Sequence, residues 1–117
     1  MVQNNLILDK SFAFALNIIK YCELLQQQRK FVIANQLVRS GTSIGALVRE
    51  AQNAESIADF CHKMKIAGKE AEETEYWLLL CKSSANYPHP GCLLTEIVSL
   101  KKILGKIIST VKKRNPK

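Results

Sequence analysis

Four separate stretches of this chain place apolar residues at alternating steps of three and four positions. Such steps align along one side of an α-helix, whereas a half-buried β-strand would need a step of two. Each stretch therefore predicts an amphipathic helix with one apolar seam. The predicted seams are Leu8, Phe12, Ala15, Ile19 and Cys22; Ile33, Leu37, Ser40, Ile44, Leu47 and Ala51; Ile57, Phe60, Met64, Ala67, Ala71, Thr74, Leu78 and Cys81; and Leu93, Ile97, Leu100, Leu104, Ile107 and Val111.

Polar or helix-breaking stretches separate these seams at Gln26–Lys30, Gln52–Glu55 and Ala85–Gly91. Ser56 followed three residues later by Asp59 is typical of a helix N-terminus. Because the connections are short, consecutive helices should run antiparallel. The sequence predicts one all-α domain over residues 1–117, an antiparallel up-and-down four-helix bundle. Its helices are expected at roughly residues 6–27, 32–51, 56–84 and 93–113.

The first and last helices carry more apolar residues than one seam requires. Phe14, Ile18 and Leu25 form a second row on the first helix, and Ile103 and Ile108 extend the fourth. A helix in a single bundle needs about three apolar positions in seven. The surplus indicates either a wide core or an interface between subunits, and we expect a homo-oligomer.

The positive charge of the chain is concentrated at its C-terminal end. Residues 101–117 carry seven basic side chains and no acidic one, whereas residues 1–100 carry ten of each, so the net charge of +7 belongs to the last segment. Such segregation favours a polyanionic partner, RNA or DNA. The alternative is a solvated basic helix face with a frayed tail. The candidate binding residues are Lys101, Lys102, Lys106, Lys112, Lys113, Arg114 and Lys117.

Four of these residues, Lys102, Lys106, Lys113 and Lys117, follow one another at steps of four, seven and four. These steps place them on one face of the fourth helix. Few aromatic side chains accompany them, which favours contact with the phosphate backbone without base reading.

The second helix contains an unusual run of small residues from Arg39 to Ala46. Gly41 and Gly45 share one face with Ser40 beside them, and each interior glycine costs about 1 kcal/mol relative to alanine. Close approach of another helix would offset this cost. A phosphate-binding glycine loop is excluded because no Gly-Lys-Ser/Thr and no preceding strand are present.

Four glutamates between residues 70 and 75 make the third helix acidic. A carboxylate metal centre in a bundle needs Glu-x-x-His on two helices, but only His62 and His89 are available and neither has that spacing. We therefore predict no metal, no cofactor and no enzymatic activity. The acidic cluster consists of Glu70, Glu72, Glu73 and Glu75.

Glu70 and Glu73 are expected to pair with basic residues of the second helix such as Arg39 and Arg49. The other two glutamates of the cluster are expected to contact solvent only.

Cysteine usage and the termini favour a cytoplasmic protein. Cys22, Cys61, Cys81 and Cys92 show no Cys-x-x-Cys spacing, and the first three lie among apolar helical positions, so we expect small buried thiols. No apolar run is long enough to cross a bilayer, and the N-terminus has no secretion-signal pattern.

Several long motifs carry a resemblance to a known family. They are Arg39–Ala46, Glu50–Ser56, Asp59–Phe60, Lys63–Ala67 and Lys69–Leu78, with Lys10–Phe12 and Phe14–Leu16 in the first helix. In this order they resemble the bacterial four-helix bundle family, also called the 23S ribosomal RNA intervening-sequence or S23-like family. Leu47–Arg49 and Cys61–His62 occupy variable stretches, so no role transfers to them.

The resemblance implies a cytosolic antiparallel bundle that assembles into a five-fold ring. Members are encoded within insertions in ribosomal RNA genes or elsewhere in bacterial chromosomes. The accessory protein of diversity-generating retroelements is similar to the same family and forms a basic barrel that binds nucleic acid and a reverse transcriptase. Two functions are therefore open: a non-enzymatic nucleic-acid-binding oligomer, or an oligomeric scaffold for a partner such as a reverse transcriptase.

Overall fold

Four α-helices form nearly all of the structure. The computed structural model describes residues 5–116, and no strand forms within that range. The helices are α1 (Asn5–Gln27), α2 (Phe31–Ala51), α3 (Ile57–Ser83) and α4 (Leu93–Arg114). Each helix packs on the next along the chain, and α4 packs back on α1. The result is an all-α four-helix bundle measuring 50 × 21 × 20 Å.

Local hydrogen bonds explain where two of these helices begin and end. Beyond the last turn of α1, Arg29 adopts a left-handed backbone with φ of 62°, and the N–H of Lys30 donates to the Leu25 carbonyl at 2.8 Å. This closes the helix as a left-handed C-terminal turn does. At the start of α3, the Ser56 Oγ accepts from the N–H of Asp59 at 3.0 Å, so the predicted N-cap is present.

The seams predicted for α2, α3 and α4 form most of the core. Ile57 is an exception because it is exposed at the first turn of α3. The other exceptions are only partly buried, and they are Ile33 and Leu47 on α2 and Ile107 and Val111 near the end of α4. The predicted seam residues that are buried on these helices are Leu37, Ser40, Ile44, Ala51, Phe60, Met64, Ala67, Ala71, Thr74, Leu78, Cys81, Leu93, Ile97, Leu100 and Leu104.

The seam predicted for α1 is wrong for most of its length. Phe12 is 63% exposed and Ile19 is 39% exposed, whereas Phe14, Ile18 and Leu25 are buried. The row predicted to be surplus therefore faces the core, and the row predicted to be the seam faces outward. Only Cys22 of the predicted seam is fully buried.

A buried serine explains this error. The inward row of α1 includes Ser11, which is 1% exposed and donates from Oγ to the Leu8 carbonyl at 3.3 Å. Both rows of α1 have the same spacing, and the polar Ser11 lowers the apolar content of the inward row. Periodicity alone gives the repeat of a helix but not which of two apolar rows meets its neighbours.

The glycines of α2 accommodate this inward row of α1. A Cβ on Gly41 would lie 2.9 Å from both Cγ atoms of Ile18, which is closer than side chains normally approach. A Cβ on Gly45 would lie 3.4 Å from the backbone oxygen and the Oγ of Ser11. On the α3 side, buried Ser40 accepts a hydrogen bond from the Thr74 hydroxyl at 2.9 Å. The run of small residues thus lets α2 pack closely against both neighbours.

The four cysteines carry no disulfide. Cys22, Cys61 and Cys81 are buried, and Cys92 is exposed just before α4. Burial raises the pKa of the Cys22 thiol to about 12, and it also raises the pKa of Cys81. Among the described residues, no helix is both long and apolar enough to cross a membrane.

Candidate nucleic-acid interface

The C-terminal half of α4 presents a surface of exposed cations. Within residues 6–116, none of these side chains forms an ion pair with a carboxylate. Lys117, the last candidate, lies outside the described residues. We call the exposed set the basic surface, and it consists of Lys102, Lys106, Lys112, Lys113 and Arg114.

Lys101 does not belong to this surface. Its Nζ donates to the Glu75 carboxylate at 2.6 Å and also pairs with Glu72. The hydrogen bond to Glu72, followed by that to Glu75, raises the pKa of Lys101. The expectation that Glu72 and Glu75 contact solvent only is therefore wrong. Two carboxylates already bind Lys101, so this lysine has no charge to spare for a phosphate.

A lysine of α3 that the charge pattern of the sequence did not predict lies next to the basic surface. Lys65 is exposed and lies beside Lys112, and this neighbouring ammonium lowers the pKa of Lys65. Lys69, one turn further along α3, is also exposed. The antiparallel register was the available signal, because a helix pair that joins Lys101 to Glu75 brings the last turns of α4 beside the start of α3.

The acidic side chains of α3 are committed elsewhere. Arg39 of α2 bonds to Glu70 at 3.3 Å and pairs with Glu73, which also accepts from the Trp77 Nε1 at 3.0 Å. Arg49 makes no ion pair among residues 6–116 and instead lines an open groove between α1 and α2. Arg39 and Lys101 thus pair with all four glutamates of the acidic cluster, and none of these carboxylates pairs with the basic surface.

The two histidines lie near opposite ends of the bundle, and His62 lines the same cleft as Lys65 and Lys112. His62 is exposed on α3, while the His89 Nδ1 accepts a hydrogen bond from the N–H of Gly91 at 2.9 Å in the loop before α4. In the described part of the chain, no three side chains of the metal-binding types come together.

A family model and a solved structure both match this chain. The model of the 23S rRNA-intervening sequence protein family matches residues 3–106. A crystal structure of a protein of unknown function from the S23 ribosomal protein family of Bacteroides thetaiotaomicron superposes with a TM-score of 0.82 at 43% sequence identity, over 87% of this chain and 97% of that one. No curated protein matches the sequence.

The family match ends at Lys106 and covers most of the chain, including the small-residue run of α2 and the acidic cluster of α3. Lys112, Lys113 and Arg114 follow the matched range, so this part of the basic surface lies beyond the region that the family model describes. On the extent of the match and on the shared fold, the chain belongs to the 23S rRNA-intervening sequence protein family.

Proposed function

We propose that this protein is a non-enzymatic, oligomeric four-helix bundle that binds the phosphate backbone of structured RNA or DNA through the basic surface of α4. The observation that carries the proposal is the set of five exposed cations with no carboxylate partner among the described residues, extended by Lys65 of α3. Each lysine that contacts a phosphate releases condensed counterions, which drives binding.

The chemistry of the surface favours phosphate contact over base recognition. α4 contains no aromatic residue on which a base would stack, and its cations are mainly lysines, which bind phosphate as point charges. From Lys102 to Arg114 the helix rises about 18 Å. At a spacing of ~3.4 Å per strand, this length matches about five phosphates. We therefore expect little sequence preference.

An exposed apolar row on α1 supports the oligomeric part of the proposal. Phe12, Leu16 and Ile19 are 63%, 47% and 39% exposed and follow one another at steps of four and three. This is the spacing with which one helix packs along another. Exposed apolar rows of this kind mark interaction sites. A second copy is the proposed partner, and the five-fold ring implied by the family resemblance is the proposed assembly, which would repeat the basic surface around the ring.

Binding measurements at several salt concentrations test the proposal. We expect the triple variant K102Q/K106Q/K113Q to bind a fluorescent RNA hairpin and a DNA duplex more weakly than the wild type, with the fold retained because glutamine is a good helix former. The slope of log affinity against log salt should fall by about 0.7–0.9 for each lost contact.

The matched control is K20Q/R29Q/K82Q, which removes three exposed cations from the opposite end of the bundle. It should retain wild-type affinity. Equal losses in both variants would indicate a general charge effect, and binding that ignores salt would contradict phosphate contact. Either result would favour the scaffold function, in which the oligomer holds a protein partner.

A further inference from the structure

An apolar groove opens at the end of the bundle where α1 and α3 begin and α4 ends. Its volume is about 570 Å³, within the range of small-molecule sites. Leu6 is 55% exposed and Ile57 is 38% exposed at its edges, so large apolar side chains face solvent. We call it the end groove, and its apolar walls are Leu6, Ile57, Phe60, Ile103, Ile107 and Val111.

The polar side chains of the end groove are cationic or neutral. They are Lys106, Thr110, Arg114 and Asn115, and no carboxylate lines the groove among residues 6–116. Arg114 makes no ion pair within that range, whereas the Asn115 side chain donates to the Val111 carbonyl at 3.0 Å. An apolar cleft with an unpaired guanidinium at its edge is complementary to an apolar group that carries an anion.

We propose that the end groove binds a small amphiphilic carboxylate, with its hydrocarbon chain along α4 and its carboxylate on Arg114. The apolar wall from Ile103 to Val111 spans about 12 Å of helix, which suits a linear chain of medium length. A guanidinium can bind a carboxylate through two parallel hydrogen bonds, whereas Lys106 would add a single charge from the other edge. This ligand differs from a nucleic acid because the apolar floor offers nothing to a phosphodiester.

Helix dipoles act in both directions at this end of the bundle. The C-terminus of α4 disfavours an anion, but the cations of its last turn oppose that effect. The N-terminus of α3 lies at the same groove, but the Asp59 carboxylate in its first turn already offsets its positive dipole end. The balance leaves Arg114 as the group that decides where the carboxylate binds.

Calorimetric titration of the full-length protein with octanoate, octylamine and acetate tests this proposal without any nucleic acid. Octanoate should bind saturably, at one molecule per chain, with a dissociation constant of about 1 mM or tighter. Acetate should not bind because it lacks the chain, and octylamine should bind at least about tenfold more weakly because its charge repels Arg114.

Two variants locate the site. R114Q should weaken octanoate binding about tenfold, whereas K113Q, which removes the same charge from the neighbouring exposed position, should leave affinity within about twofold. L6Q should also weaken binding, since it removes an exposed apolar wall without disturbing the core. Absence of saturable binding, equal affinity for octylamine, or identical behaviour of R114Q and K113Q would overturn the proposal. Sedimentation provides a further test. If the wild-type oligomer does not bind octanoate and L6Q dissociates that oligomer, a second copy of the chain occupies the groove and the proposal is overturned.

Discussion

Gly41 and Gly105 both lie in the interior of long helices, but the space around them differs. At Gly41 a Cβ would meet the Ile18 side chain at 2.9 Å, whereas at Gly105 a Cβ would meet no atom within 4 Å. Close packing of α1 therefore offsets the low helix propensity of Gly41, while the structure shows no packing contact that does so for Gly105.

Alanine at these two positions should change stability in opposite directions. We expect G41A to lower the free energy of unfolding by about 1–3 kcal/mol through overpacking, and G105A to raise it by about 1 kcal/mol through helix propensity. Leucine at Gly41 or Gly45 should disrupt folding or assembly. Urea denaturation measures both effects, and the G41A loss should be smaller in an I18A background, because I18A removes both Cγ atoms that the new Cβ would meet. A wild-type stability for G41A would contradict the close contact.

Buried thiols make stability depend on alkaline pH. Burial raises the pKa of Cys22 from 9.0 to about 12, and burial raises the pKa of Tyr21 as well. Because the unfolded thiol ionises first, this contribution to stability is complete below pH 9 and is lost as pH rises towards 12. The free energy of unfolding should therefore fall between pH 9 and 11, and less steeply in C22A.

Thiol labelling provides an independent check on the burial of these residues. A thiol reagent at pH 8 should modify Cys92 rapidly and the other three cysteines only after unfolding. Rapid labelling of any thiol in the C92S variant would contradict the buried positions.

The pairing of α3 with α4 determines how many cations of α4 are available to bind a nucleic acid. Lys101 is neutralised by Glu72 and Glu75, and the basic surface begins only one residue later at Lys102. The carboxylates of α3 thus mark one boundary of the candidate interface.

Removing these two carboxylates should strengthen nucleic-acid binding. We expect E72Q/E75Q to release the charge of Lys101 and raise affinity at low salt, with a small effect on stability, since partly exposed ion pairs contribute below about 1 kcal/mol. Fluorescence anisotropy with the same RNA hairpin measures the change. E23Q/E96Q, which also removes two acidic charges but lies at the opposite end of the bundle and breaks no ion pair among the described residues, is the matched comparison. An equal gain in both variants would show that net charge alone controls binding.

The sequence predicted the four helices because their apolar repeats are long and their breakers distinct. It also predicted the contact of Arg39 with Glu70 and Glu73, since oppositely charged groups on neighbouring helices are readable from composition. It failed for α1, where two apolar rows have the same periodicity and the buried row includes the polar Ser11. It also failed where a contact depends on the register of α3 against α4. That register places Lys65 beside Lys112 and Lys101 beside Glu75, and periodicity does not reveal it.

The exposed apolar row of α1 has no partner within the described part of the single chain. This row, and not the one predicted from the sequence, is the surplus apolar surface of α1. Phe12 and Leu16 lie on the outer side of α1, where polar substitution leaves the core unchanged.

Polar substitution of this row should reduce the size of the particle. F12Q/L16Q is expected to shift an oligomeric wild type towards monomer without lowering helix content, because only solvent-facing apolar area is lost. Sedimentation velocity at micromolar concentration measures the size, and circular dichroism checks the fold. V32Q, at an exposed position at the start of α2, serves as the control. A wild type that is monomeric at this concentration would contradict the oligomer directly.

The order in which the helices pack has a kinetic consequence. Three of the four helix contacts join neighbours along the chain, and only the packing of α4 on α1 brings distant segments together. Proteins dominated by local contacts fold quickly because little loop entropy is lost before each contact forms. The chain should therefore fold within about milliseconds. The α1–α4 seam, which requires both ends of the chain to meet, should close last and exchange its amide protons soonest.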